Sequence, residues 1–396
     1  MGKNGKKQRH QQKPSSRQRH SHFPQEDEDF NFNGSSDQNP PSLSLSNSED
    51  EDENQQEQKQ ECDPQNHNLL CDDSIPSKFS LYQQSVQSPK GDISYLQKFF
   101  LMYVGGRAPL HLQEDFCGTA LLSTEWLRTD PRRTAIGVDL DLEALKWCME
   151  NNVNKVGSDI SSMIYLFHGN VLQPLEASLV KSNHPENLMQ NVTIQENEDV
   201  ALKIPAENSL GSAASVSGGN LKKDFSLPGR DIVCAFNYSC CCLHKRKELV
   251  EYFKHALDAL SKKGGIFVMD LYGGTSSEHE LKLSRKFPNF TYTWEQAEFD
   301  VIQRMTRISL HYQLNKPQKK IRNAFSYSWR LWSLPEIRDC LEEAGYRAIH
   351  FWIREMPDTE RNRSTRGFNT SRDDKYEEVT SFQQQDAWNA YVVAVA

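Results

Sequence analysis

The sequence predicts an α/β domain: a mostly parallel sheet with helices on both faces and an added antiparallel β meander, over residues 79–396, behind a low-complexity tail at 1–78. Three observations carry this. From Phe79 onward, apolar runs of strand length alternate with amphipathic stretches of helical period. After Gly273-Gly274 the helical period gives way to alternation with aromatic side chains. Phe, Tyr and Trp are missing from 33–78 and from 176–224, so the low apolar content, 37% of 396 residues, is concentrated in segments that need not enter a core.

The first 22 residues hold seven Lys or Arg and no acid; Glu26 to Asp29 and Glu49 to Glu53 then reverse the sign. Such blocks repel themselves and read as a disordered tail, with a nuclear localisation signal or an RNA-binding arm as the sharper alternatives. Segment 82–100 reads as a lid over a ligand, with Tyr82 and Gln87 as contacts. LHLQEDF (110–116) is a first strand, and 119–127 has helical character with Leu121, Leu122 and Trp126 able to face the sheet. AIGVDL (135–140) is a second strand, followed by a helix that Asp141 caps and that carries Leu142, Leu145 and Met149 on one side. MIYLFHGNV (163–171) makes a third strand. Residues 176–229 read as a disordered insertion, tolerable because loop-closure entropy grows only logarithmically with length. DIVCAFNY (231–238) is a fourth strand, 246–260 a helix with Leu249, Phe253 and Leu257 aligned, and GIFVMDL (265–271) a fifth strand. Segments 290–314 and 321–332 read as antiparallel strands. Ser333-Leu334-Pro335-Glu336 is a capping box opening a helix that Gly345 closes, and 346–353 and 388–396 are the last strands.

An open α/β sheet binds ligands outside the carboxyl ends of its strands, so those ends were compared. The first offers Glu114-Asp115-Phe116-Cys117-Gly118-Thr119-Ala120, with a glycine where backbone must approach a ligand closely. The second ends at Asp139, whose carboxylate suits the two hydroxyls of a ribose. The third ends at Gly169-Asn170-Val171, where an amide side chain and a backbone N–H can read an adenine edge. Each has a plainer role when taken singly: Gly118 as a tight turn, Asp139 as a capping acid, Asn170 as a left-handed turn residue. Their order along successive strands favours a nucleoside ligand. At the fourth and fifth strand ends Asn237, Tyr238, His244, Asp270 and Tyr272 are candidates for work on an acceptor, against packing or turn roles for each.

EDFCGTA, GVDLDLEAL, FHGNV and the DIVCAFNY to KKGGIFVMDL block resemble successive motifs of the class I S-adenosylmethionine-dependent methyltransferases, and SLPEIRDCLEEAGY before the closing strands is similar to the end of that fold. The resemblance covers most of 80–396. It implies a Rossmann-like seven-stranded sheet whose last strand inserts antiparallel, with S-adenosylmethionine over the first two strand ends. By the same resemblance Glu114, Phe116, Cys117, Gly118 and Thr119 hold the methionine portion, Asp139 with Leu140 the ribose, and Asn170 with Val171 the adenine. Phe236 and Asn237 lie beside the sulfonium, Tyr82 on the lid, and Arg107 meets the cofactor carboxylate or stays on the surface. Asn237, Tyr238 and Asp270 are the catalytic candidates. The family's first motif carries three glycines, whereas this chain has Phe116 and Ala120 at the outer two places.

The acceptor is not identified by the sequence. A net charge of −8 and a pI near 5.9 do not indicate nucleic acid as the default partner; small-molecule, protein and RNA acceptors stay open, with a small molecule or protein favoured because the sequence offers no basic, aromatic-interleaved groove near the strand ends. The meander aromatics Tyr292, Trp294, Tyr327, Trp329 and Trp332 are expected to divide between covering the acceptor and forming a sheet core. Nine cysteines without CxxC spacing, three of them consecutive at 240–242, indicate reduced thiols and no metal site. No run is long enough to span a membrane, which reads as a cytoplasmic or nuclear protein. A nicotinamide oxidoreductase would need G-x-G-x-x-G after the first strand, which is absent. The remaining competitor is a methyltransferase fold without activity that serves as a scaffold.

Overall fold

The computed structural model describes residues 75–157, 161–180, 227–356 and 375–396. The tail expected over 1–78 lies outside them as far as residue 74, and the insertion expected over 176–229 lies outside them from 181 to 226. The flanks of that expected insertion belong to the fold: Pro174–Glu176 is a 3-10 turn and Ser178–Leu179 pairs with the sheet.

Helices α1 (Lys78–Ser85) and α2 (Pro89–Tyr103) come first; Ser77 Oγ caps α1 by accepting from Ser80 N, and α2 starts on proline. Then follow β1 (His111–Asp115), α3 (Leu121–Arg128), β2 (Thr134–Asp139), α4 (Leu142–Cys148), β3 (Ile164–His168), β4 (Ser178–Leu179), β5 (Ile232–Ala235), α5 (Arg246–Ala259) and β6 (Ile266–Gly273). Asp141 caps α4 as its sequence position requires, accepting from Ala144 N at 3.0 Å. The meander is β7 (Leu281–Lys286), β8 (Phe290–Gln296), β9 (Met305–Leu314) and β10 (Lys319–Arg330). The chain closes with α6 (Leu334–Ala344), β11 (Ala348–Glu355), β12 (Glu377–Val379) and β13 (Trp388–Val395). Ser333 and Glu336 form the capping box of α6, and Gly345 ends it with φ 111°.

The larger sheet has the order β12-β11-β13-β6-β5-β1-β2-β3-β4. Its centre, β3 to β6, is parallel, and β13 enters antiparallel between β6 and β11. Seven long strands were expected; among the described residues the sheet has these seven and two short edge strands, β4 and β12, that flank them. Period-two alternation sends Ile136, Val233, Phe267 and Met269 to one face, where Leu249 and Phe253 of α5 and Ile337 and Leu341 of α6 cover them. Leu112, Ala135, Cys234 and Val268 go to the other, under Phe99 of α2, Trp126 of α3 and Leu145 of α4. Each Val, Leu, Ile, Met or Phe side chain among them contributes roughly 1.5–3 kcal/mol by leaving water. Among the described residues no helix is long and apolar enough to cross a membrane.

The second sheet, β10-β9-β8-β7, is antiparallel and buries Tyr292, Ile308, Leu310, Tyr312 and Trp329 in the same core as α5 and α6. The run read as one strand over 290–314 is two. Asp300 accepts from Ile302 N (2.8 Å) and Gln303 N (2.9 Å), and Arg304 turns the chain at φ 56° while its guanidinium binds Leu331 O and Glu278. No glycine or proline marks that turn, so the alternation looks continuous.

Candidate functional site

The loops after β1, β2 and β3 are tied together at the carboxyl edge of the sheet. Gly118 N donates to Asp139 Oδ2 at 2.6 Å, Cys117 N to Val138 O at 3.1 Å, and Gly169 N to Asp139 O at 2.9 Å. The turn after β1 is left-handed at three alternate positions: Phe116 (φ 56°), Gly118 (φ 51°) and Ala120 (φ 45°). Phe116 and Ala120 thus take a conformation that a glycine adopts freely and that costs a side-chain-bearing residue about 1–2 kcal/mol. Phe116 places its ring edge-on against Tyr252 of α5, with centroids 5.5 Å apart. Cys117 folds across Gly137 of β2, where an added Cβ would lie 2.8 Å from its sulfur. Asn170 makes a turn of its own, its Oδ1 accepting from Leu172 N at 2.9 Å, which leaves the amide nitrogen for a ligand. Val171 is buried, and Leu140 beside Asp139 is 64% exposed.

Three buried carboxylates, Glu114, Asp139 and Asp92, collect at this edge, and of these Asp92 feels the charge of Arg354. Glu114 is buried and uses Oε2 to accept from Ser123 N (3.0 Å) and Ser123 Oγ (2.6 Å); burial lifts it to about 7, against those bonds and with help from Asp139 and Asp92. Burial also raises Asp139, although Asp141 N and Gly118 N donate to it. Asp92, at the start of α2, is pushed up to about 6 by burial while accepting from Tyr391 OH. A cation at this edge would be stabilised by charges that are now costly to hold.

At the ends of β5 and β6 the three catalytic candidates converge on one motif. Asn237 and Tyr238 are both left-handed (φ 59°), and both donate their backbone N–H to Asp270, to Oδ2 at 3.0 Å and Oδ1 at 2.8 Å. Burial raises Asp270 to about 8. Its carboxylate is therefore engaged in holding the turn. Tyr238 OH donates to Asn389 at 3.1 Å, and Phe236 is buried against Tyr391. The other candidates have structural partners: Tyr272 OH donates to Gln296, and His244 Nε2 meets Ser328 O at 2.7 Å.

Helix α1 bridges the loop after β1 and the meander. Gln83 Nε2 donates to Thr119 Oγ1 at 2.9 Å and Thr119 Oγ1 to Gln87 Oε1 at 3.2 Å, while Tyr82 packs on Phe325 of β10 and Ser85 meets Tyr312. Tyr292, Trp329 and Trp332 belong to the core; Trp294 and Tyr327 are half-buried beside it.

Arg107 is not part of this group. It pairs with Asp231 and donates to Gly264 O at 3.1 Å, at the amino ends of β5 and β6, the opposite edge of the sheet. Because it precedes β1, its side chain lies away from the carboxyl edge at which Gly118 and Asp139 meet. Sequence reasoning missed Asp92 with Tyr391, and Asn152, whose Nδ2 donates to Thr119 O at 2.7 Å. An acid in the first turn of a helix has the ordinary reading of a dipole partner, and Asn152 offers no motif.

No family model and no curated protein sequence matches the chain. Solved structures similar to it include a S-adenosylmethionine-dependent methyltransferase from Clostridium acetobutylicum, at 13% identity and TM-score 0.45, over 80% of this chain and 96% of that one. The CcbJ methyltransferase from Streptomyces caelestis is similar at 13% identity and TM-score 0.46, over 81% and 95%. CalS10, an amino pentose methyltransferase from Micromonospora echinaspora solved with S-adenosylmethionine, is similar at 11% identity and TM-score 0.43, over 80% and 94%.

Proposed function

We propose that the chain is an S-adenosylmethionine-dependent methyltransferase acting on a small molecule or a protein. The observation that carries this reading is the link from Asp139 to Gly118 N at 2.6 Å, which binds the end of β2 to a triply left-handed turn at the end of β1. The buried carboxylates Glu114 and Asp139, with Asp92 nearby, fit a ligand bearing both a sulfonium and an ammonium group. In this reading Glu114 and the turn from Phe116 to Thr119 would hold the methionine portion, and Asp139 would accept from ribose hydroxyls with the lone pairs left beside its bonds from Gly118 N and Asp141 N, with Leu140 alongside. Asn170 and Val171 read the adenine, Phe236 and Asn237 flank the sulfur, and Tyr82 closes over them from α1.

When bound, S-adenosylmethionine supplies a methyl carbon on a cationic sulfur. The chain's task is to align an acceptor electron pair with the carbon–sulfur bond, which accounts for much of the rate of an in-line displacement. Asn237 and Tyr238 present themselves to the acceptor, and Asp270 is a positioning residue that fixes their turn. An acceptor that carries a proton would release it to solvent, and the donor would leave as its demethylated thioether with the electron pair of the broken carbon–sulfur bond.

The test is incubation of the purified chain with methyl-labelled S-adenosylmethionine and a cell extract, followed by mass spectrometry. A labelled product that disappears with Asp139→Ala supports the reading. Absence of label from both the small-molecule and the protein fractions counts against it.

A further inference from the structure

The chain as a whole carries a formal charge of −8, yet residues 281–330 hold ten Lys and Arg against three Asp and Glu, a formal charge of +7. Strand alternation sorts these charges by face. The inner face carries the buried Leu283, Tyr292, Leu310, Tyr312 and Trp329; the opposite face carries exposed Lys282 and Lys286 of β7, Arg307 of β9, and Lys320 and Arg322 of β10. At its centre lies a cavity of ≈ 240 Å³ lined by Arg307, Arg322 and His311 together with Ser309, Ser326 and Asn323. The acid in its lining, Glu295, pairs within the face with Lys282 at 3.7 Å, and His311 Nε2 lies 3.5 Å from it. His311 Nδ1 is engaged by Asn323 N at 3.0 Å, whereas its buried Nε2 makes no hydrogen bond among the described residues. Burial holds the His311 imidazole below its ordinary range, and Lys282 and Arg322 add to that shift against Glu295.

We propose that this cavity is a phosphate-binding site and that the outer face of the meander docks the phosphodiester backbone of a nucleic acid. Two guanidiniums beside hydroxyl and amide donors form the set that recognises phosphate oxygens through charge-assisted bonds. Lys282, Lys286 and Lys320 extend the charge beyond the cavity on both sides, so the face suits a row of phosphates better than one. Among its described residues this face presents no Phe, Tyr or Trp ring for stacking on bases, and the ring of His311 is largely buried, so recognition is of the backbone and independent of sequence. The exposed pair Val301 and Ile302 in the β8–β9 loop (72% and 93% exposed) would be the contact for the competing occupant, an anionic membrane.

The experiment is fluorescence anisotropy of a short fluorescein-labelled oligouridylate RNA titrated with the full chain at several salt concentrations, beside flotation with phosphatidylserine-containing vesicles. RNA is expected to bind with an affinity that falls log-linearly with salt. The double variant Arg307→Glu, Arg322→Glu is expected to lower affinity about tenfold or more and the salt slope by about 1–2, with an unchanged melting temperature. The proposal is overturned by absence of RNA binding, or by binding that survives the double variant and depends instead on the seven basic residues of the first 22. It is equally overturned if vesicles are captured while RNA is not and Ile302→Ser abolishes the capture.

Discussion

Gly118 and Gly137 are both glycines of the site, but for different physical reasons, and they should fail differently. Gly118 sits at φ 51° with open space where a Cβ would go, so Gly118→Ala introduces backbone strain alone, about 1–2 kcal/mol in urea unfolding. At Gly137 a Cβ would meet Leu166 Cδ2 at 2.7 Å and Cys117 Sγ at 2.8 Å. Gly137→Ala is expected to cost about 1–3 kcal/mol by overpacking and to push the turn after β1 outward, read as faster amide exchange at 116–120. The buried acids give a second residue-scale prediction. Glu114 stands near 7 against an ordinary 4.5, and Asp270 near 8 against 3.8, so the folded protein binds protons that the unfolded chain has lost. The stability they contribute is present below pH 4 and drains away as pH rises through 7 and 8. The ligand-free protein should therefore melt at a lower temperature at pH 8.5 than at pH 5.5, and Glu114→Gln should flatten that slope. A melting temperature that rises over the same range would contradict the burial of these carboxyls.

At the scale of elements, the sequence was most informative where local chemistry and tertiary role agree. The capping box of α6 is such a case: Ser333→Ala removes an acceptor for Glu336 N and should cost about 1 kcal/mol in chemical unfolding, with no change at the strand ends. Strands β1, β2, β3, β5 and β6 were legible because apolar runs of their length have few other uses, and the twenty-one residues from Gly118 to Asp139 placed the first two strand ends. Other elements carried no such signal. β7 offers only Leu281 and Leu283 as alternating apolar residues, and β12 is three polar or half-buried residues held by β11. The left-handed turns at Phe116, Ala120, Asn237 and Tyr238 were invisible, because side-chain-bearing residues are forced into that region by tertiary bonds such as those Asp270 accepts, not by their own preference. Arg107 stands just before β1, and a residue that precedes a parallel strand reaches the amino edge of the sheet, where it pairs with Asp231.

On the scale of the whole molecule, charge is separated by place. Acids gather at the carboxyl edge of the large sheet, and cations on the outer face of the meander, so a single net charge describes neither surface. The central claim concerns the first of these: that the edge formed by Glu114, Gly118, Asp139 and Asn170 binds one adenosine-bearing sulfonium compound. Asp139 keeps acceptor lone pairs beside its bonds from Gly118 N and Asp141 N, so removing the carboxylate should remove affinity for a hydroxyl-bearing ligand rather than fold. Isothermal titration calorimetry of the full chain with S-adenosylmethionine and S-adenosylhomocysteine measures this directly. The account predicts a single site of micromolar affinity for the demethylated product, about −8 kcal/mol, weakened at least tenfold in a folded Asp139→Ala variant. No heat with either compound from a cooperatively folded sample, or equal affinity in wild type and Asp139→Ala, would contradict it.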